Sequence, residues 1–172
     1  AHSGAAGMKP YRVAGRLDGS SPLILASPHS GSALPPGFLA TSRLDAPSLR
    51  RMEDAHVGAL LADCAALGLP LIEATCSRAV IDLNRAEDEF DPSMFAGAMA
   101  RAPRLTDRVR RGYGLFPRVA APNQPIHSVR LPSALVEERL AALHRPWHGA
   151  LDAGLAAARA RHGQAVLLDV HS

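Results

Sequence analysis

Lysine is all but missing from this 172-residue chain: Lys9 stands alone, so arginine carries almost the whole positive side of a net charge of +3. The arginines are scattered except in "RVRRGYG" at 108–114, and aromatic residues make up only 4% of the chain. A pI of about 9.4 therefore reads as solvated arginine loops rather than a stripe that follows a phosphate backbone, and bases would find no aromatic ladder to stack on. Nucleic acid is not an expected partner. Cysteine is scarce as well. Cys64 and Cys76 are too few for a disulfide framework and lack the paired CxxC spacing of a metal site, so both read as reduced core thiols. No apolar run approaches the roughly 20 residues of a membrane-crossing helix, and no basic-then-apolar segment opens the chain. These absences point to a cytoplasmic protein with no membrane partner.

What is present is the composition of a folded chain, 47% apolar and 20% charged. One domain is expected at this length, since about 150 residues already bury roughly 70% of the surface that their unfolded chain exposes. The small, polar "AHSGAAG" at 1–7 reads as a flexible N-terminal segment or a remnant outside the fold, and residues 8–172 as a single domain expected to lack its C-terminal part.

Within it, "SPLILASPHSG" predicts a strand over 22–27 that stops at Pro28 and turns at Gly31. Between Leu49 and Leu67 the residues Met52, Val57, Leu60, Leu61 and Cys64 recur at helical spacing, and Gly68 closes the predicted helix. "LPLIEAT" and "RAVIDLN" then read as two strands. From 86 to 130 Pro, Gly and Arg are frequent and no period holds, which predicts a long functional loop or an irregular excursion. Pro132 opens a helical stretch over 133–163 that Pro146 should kink or divide, and "QAVLLDV" follows as a strand of the buried kind. Strand, helix, strands, helix, strand is an α/β order, so a mixed, mainly parallel sheet flanked by helices in three layers is expected.

In such sheets ligands collect outside the carboxyl ends of the strands. His29 and His171 each follow directly on a strand, so both belong on that rim. Two imidazoles and a carboxylate with one open position are the usual ligand set of a hydrolytic zinc site. Glu53 and Asp54, in "MEDAH" at the start of the predicted helix, are the candidate carboxylates, and His56 could replace either. A lone histidine is more often a satisfied surface or core group, and His2, His127 and His162 are read that way. "SRAVIDLNR" adds a possible anion pocket: Arg85, Asn84 and Arg78 offer paired donors for a carboxylate. The competing structural reading pairs Arg78 with Asp82 and leaves Arg85 in solvent.

"SPHSG", "EDAHV", "SRAVIDLNR", "GYGLFP", "HRPWHGAL" and "LLDVHS" occur in that order over about residues 22–172, and together they resemble the N-formylglutamate amidohydrolase family. That family is similar in fold to zinc-dependent exopeptidases. The resemblance implies His29, Asp54 and His171 as metal ligands, with Zn2+ or another divalent ion as cofactor. It implies Asn84 with Arg85 as the grip on a substrate carboxylate, and Arg78 beside them. The implied reaction removes an N-acyl group, formyl above all, from a small acidic amino acid such as N-formylglutamate, as happens in histidine breakdown. The family continues beyond its "DxHS" strand, so the general-base glutamate is expected beyond Ser172. "RPWH" departs from the family's more usual "PYH" by one aromatic and retains His148, which reads as structural. The rival readings are another N-acylamino-acid deacylase, a carboxypeptidase-like hydrolase, or a non-catalytic anion-binding module; oligomeric state is left open.

Overall fold

The computed structural model describes Ala5 and residues 7–172. His2 and most of the 1–7 segment lie outside the described residues; Ala5, inside them, is buried in the core.

The apolar runs seen in the sequence become a four-stranded sheet. Its strands are β1 (Tyr11–Ala14), β2 (Leu23–Ser27), β3 (Leu71–Ala74) and β4 (Val166–Asp169), in the order β1-β3-β2-β4. β2 is parallel to both of its neighbours, with Leu25 opposite Leu71 on one side and Leu168 on the other; β1 runs antiparallel to β3. The sheet is therefore mixed and mainly parallel, as the element order predicts. β2 and β3 are buried along nearly their whole length, which is why their sequences carry no alternation. The long helix Arg145–His162 packs on β2, and it approaches closely because Gly154 has no side chain: a Cβ there would lie 3.0 Å from Ile24 Cδ1.

Four expectations need correction. The helix over 49–67 is a chain of short pieces, Ala46–Leu49, Arg50–Met52, Val57–Leu60 and Ala62–Cys64, with Leu60 and Leu67 exposed. Glu53 is extended, and Asp54 spends its backbone N–H on His29 O at 3.0 Å, so the helical ladder is interrupted where the chain must touch the β2 loop. "RAVIDLN" is buried over 79–83 but forms no strand; the backbone turns at Ser77–Val80, and Asp82 N–H bonds Leu115 O at 2.7 Å. β4 is not of the buried kind. It lies at the sheet edge, with Val166, Leu167 and Leu168 between 39% and 52% exposed. Cys64 is only half-buried, whereas Cys76 is in the core, and both are free thiols.

The 86–130 segment is irregular, as expected, yet not loose. It supplies Phe90, Phe95 and Phe116, all buried and meeting edge to face with centroids 5.4–6.0 Å apart, an arrangement favoured by the ring quadrupoles. The helical stretch after Pro132 runs through Ala134–Arg139, a wide π turn at Leu140–His144, and the long helix. Pro146 has no N–H to give back to the preceding turn, which accounts for the distortion falling just before it.

Candidate metal centre

Parallel pairing places the carboxyl ends of β2 and β4 side by side. Ala26 lies opposite Asp169, and Val170 N–H donates to Ala26 O at 2.8 Å, so the residues that follow each strand emerge together. His29 and His171 arrive with ring centroids 4.9 Å apart. Asp54 is brought in by its backbone bond to His29 O. One donor atom from each of His29, Asp54 and His171 lies within 4.8 Å of the others, so the three residues that the resemblance implied as ligands form one cluster. Glu53, the alternative carboxylate, has its side chain near Arg50, 3.5 Å away; His56 is exposed in a left-handed conformation.

The outer faces of the two imidazoles are each held by a carboxylate. His29 Nε2 bonds Asp82 Oδ1 at 2.7 Å, and His171 Nε2 bonds Asp169 Oδ2 at 3.0 Å. An ionised carboxylate can only accept, so His29 Nε2 carries the hydrogen and Nδ1 keeps the lone pair. That Nδ1 is buried without a hydrogen-bond partner, 3.4 Å from Asp54 Oδ2. A buried, unpartnered lone pair facing a carboxylate oxygen is what a cation would complete. Ligands about 2.0–2.1 Å from a tetrahedral zinc stand roughly 3.4 Å apart, so the donor set fits. His171 Nδ1 bonds Asp54 Oδ2 at 2.8 Å.

The charges bear on these groups unequally. Burial works against the ionised form of Asp82, yet the hydrogen bond from His29, with the charges of Arg78 and Arg85, holds its carboxyl at about 2. For His171 burial favours the neutral ring, but Asp169 and Asp54 outweigh it and raise its pKa. Burial pushes the Glu53 carboxyl up, against Arg50.

Beside the cluster lies a cavity of about 340 Å³ lined by Arg51, Glu53, Asp54, Arg78, Asp82 and Tyr113 among others. Of the three residues expected to grip a carboxylate, Arg78 lines this cavity. Its Nε donates to Asp82 Oδ2 at 3.0 Å, so the structural ion pair with Asp82 is formed as well. Asn84 points to the His29–Asp54–His171 cluster from its outer side, with Nδ2 donating to Asp169 Oδ2 at 3.0 Å and lying 3.3 Å from His171 Nε2. Arg85 is turned inward, its side chain 11% exposed; it donates to Tyr113 O and Asn84 O and lies 3.6 Å from Asp82. The solvent-facing alternative for Arg85 does not hold.

Sequence reasoning passed over Asp169, gave Asp82 only an ion-pair role, and did not single out Arg51 or Tyr113. For the carboxylates a signal exists: each stands within two or three residues of a candidate site residue in "DLNR" and "DVH". His127 and His162 are satisfied elsewhere, near Thr41 Oγ1 and on Gly19 O.

Comparison with known proteins gives the same direction throughout. The family model described as N-formylglutamate amidohydrolase matches residues 21–172. The N-formylglutamate deformylase of Pseudomonas putida is 33% identical over 156 residues, covering 90% of this chain and 52% of that protein. The N-formylglutamate deformylase of Pseudomonas aeruginosa is 32% identical over 158 residues, covering 90% and 53%. The crystal structure of an N-formylglutamate amidohydrolase from Ralstonia eutropha JMP134 superposes with a TM-score of 0.86 at 33% identity, over 95% of this chain and 57% of that one. A gene product of Agrobacterium tumefaciens shares the fold at a TM-score of 0.66 and 19% identity. The chain spans about half the length of the curated relatives it matches.

Proposed function

The chain belongs to the N-formylglutamate amidohydrolase family, and from that premise we propose that it carries the metal site of a hydrolase releasing formate from N-formylglutamate. The observation that carries this reading is the meeting of His29, Asp54 and His171 at two adjacent strand ends, with both outer imidazole nitrogens held by carboxylates. Two nitrogens and one oxygen favour zinc. A divalent ion there supplies Lewis acidity toward water and toward the formyl carbonyl.

The chain's own residues do the rest. Asp82 fixes the tautomer and orientation of His29, and Asp169 orients His171. Arg78 and Arg51 receive the carboxylates of the substrate in the cavity, a task suited to the guanidinium fork. Asn84 and Arg85 order Asp169 and Asp82 from behind. Glu53 lines the same cavity with Oε1 buried and unpartnered, and within this chain it takes up the proton of the attacking water, the task for which the resemblance implies a glutamate beyond Ser172. Water adds to the formyl carbon, the C–N bond breaks, the proton passes to the departing nitrogen, and formate and glutamate leave. Such a reaction belongs to histidine breakdown and, with Cys64 and Cys76 free, to the cytoplasm. Residues 8–172 belong to one domain of zinc-exopeptidase type that continues beyond them.

The test is formate release by the zinc-loaded chain from N-formylglutamate, beside N-acetylglutamate, N-succinylglutamate and a formylated neutral amino acid. Preferential turnover of N-formylglutamate is expected. Equal turnover of the neutral compound would overturn the acidic substrate, and saturable binding without hydrolysis would make the site a binding module.

A further inference from the structure

The Leu83–Arg85 backbone sits behind the metal cluster without a strand to hold it. Its two outer carbonyls are nevertheless satisfied, each by an imidazole. His148 Nε2 lies 2.9 Å from Leu83 O and His144 Nε2 2.8 Å from Arg85 O. A carbonyl only accepts, so both Nε2 atoms carry hydrogen and both rings are fixed in one tautomer. The two histidines are four residues apart, hence on one helix face, with ring centroids 4.2 Å apart. The π turn Leu140–His144 ends at the first of them, and Trp147, 1% exposed, pins the helix between them.

The residue caught between the two clamped carbonyls is Asn84. Its backbone N–H donates to Asp82 Oδ1 at 3.0 Å, the same oxygen that receives His29 Nε2. Its side chain donates to Asp169 Oδ2, the same oxygen that receives His171 Nε2. One tripeptide therefore touches the outer partner of both imidazoles.

We propose that His144 and His148 are a positioning pair that fixes the Leu83–Arg85 backbone and, through Asn84, sets the outer hydrogen bonds of His29 and His171. This role rests on the metal-site reading above. It differs from helix packing in needing a donated hydrogen bond rather than ring volume alone.

The experiment replaces each histidine by glutamine, which keeps a donor, and by leucine, which keeps bulk without one. Zinc affinity is read by competition with a chelating chromophore, and hydrogen exchange is followed over residues 82–90 of the zinc-free chain. The expected result is that His148→Leu and His144→Leu weaken zinc binding by about 10- to 100-fold, the usual effect of losing an outer partner, and speed exchange at Asn84. His148→Gln and His144→Gln should recover most of both. Leucine variants within twofold of the parent, or glutamine variants as weak as leucine, would overturn the proposal. If the leucine variants do not fold, the glutamine variants decide: near-parent affinity supports the pair, and a tenfold loss in a folded variant refutes it. A parent chain that binds no zinc fails the metal-site reading itself and takes this role with it, whereas a zinc-binding parent with indifferent variants fails this role alone.

Discussion

Replacing Asp82 by asparagine tests the centre at its most connected point. The carboxylate is 1% exposed and accepts from His29 Nε2 at 2.7 Å, Arg78 Nε at 3.0 Å and Asn84 N–H at 3.0 Å. An amide offers one accepting oxygen and turns an NH2 toward either the imidazole or the guanidinium. Bonds to charged groups contribute about 1.5–3 kcal/mol each, and Arg78 regains some water, so a loss of about 3 kcal/mol is expected. The depressed carboxyl gives an independent figure. A fall from 3.8 to about 2 corresponds to about 2 kcal/mol. That contribution is fully present above pH 4 or so and is lost as pH falls through about 2, because the unfolded chain takes up the proton first. Urea denaturation of the zinc-free chain should therefore show a lower midpoint for Asp82→Asn at neutral pH and a flatter fall in acid. Zinc affinity should drop about 10- to 100-fold, or about 1.4–2.7 kcal/mol. A variant with parental zinc affinity and a parental acid limb would refute the claim that Asp82 orients His29.

His127 governs a different pH window. Burial, helped by the charge of Arg139, pushes its pKa down to about 4, so the unfolded chain binds a proton before the folded one does; stability should fall by about 3 kcal/mol between pH 6.5 and 4, and His127→Gln should abolish that slope in denaturation curves. Gly31→Ala should deplete folded protein or cost at least about 3 kcal/mol by circular dichroism melts, because its Cβ would lie 2.4 Å from Cys76 O and Thr75 C, backbone that cannot swing aside. Free zinc at 100 times its Kd should stabilise the chain by about 2.7 kcal/mol, roughly 5–10 °C in Tm, reversibly with chelator; a melt indifferent to zinc would remove the metal from the account.

The parts of this fold legible in the sequence were those whose environment repeats along the chain. β2, β3 and β4 show as apolar runs, and the long helix shows its period. β1 did not, since "YRVA" is four residues paired on one side only and carries little pattern. "RAVIDLN" misleads because burial alone makes it apolar, while carbonyls in it and just after it are met by side chains: Arg139 on Val80, His148 on Leu83, and His144 on Arg85. The break at Glu53 is likewise set by a tertiary contact, the bond from Asp54 to His29, which no local period encodes. Strand-end placement marked His29 and His171, and the ordered motifs pointed to Asp54. The supporting carboxylates stood close to candidate residues in "DLNR" and "DVH", but their role as outer partners depends on which way each ring faces, which proximity in sequence does not give.

Among the described residues β4 is last in the sheet order and its three apolar residues are exposed, in a chain that spans about half the length of its curated relatives. One side of its backbone thus presents a row of hydrogen-bonding groups beside greasy side chains, with Asp169 as the strand's sole charge. Edges of this kind template the addition of any extended segment. Because the same strand runs straight into His171, what happens at that edge is not confined to solubility. β4 and His171 are one continuous run of backbone, so any segment paired along that strand is coupled to the position of the ring.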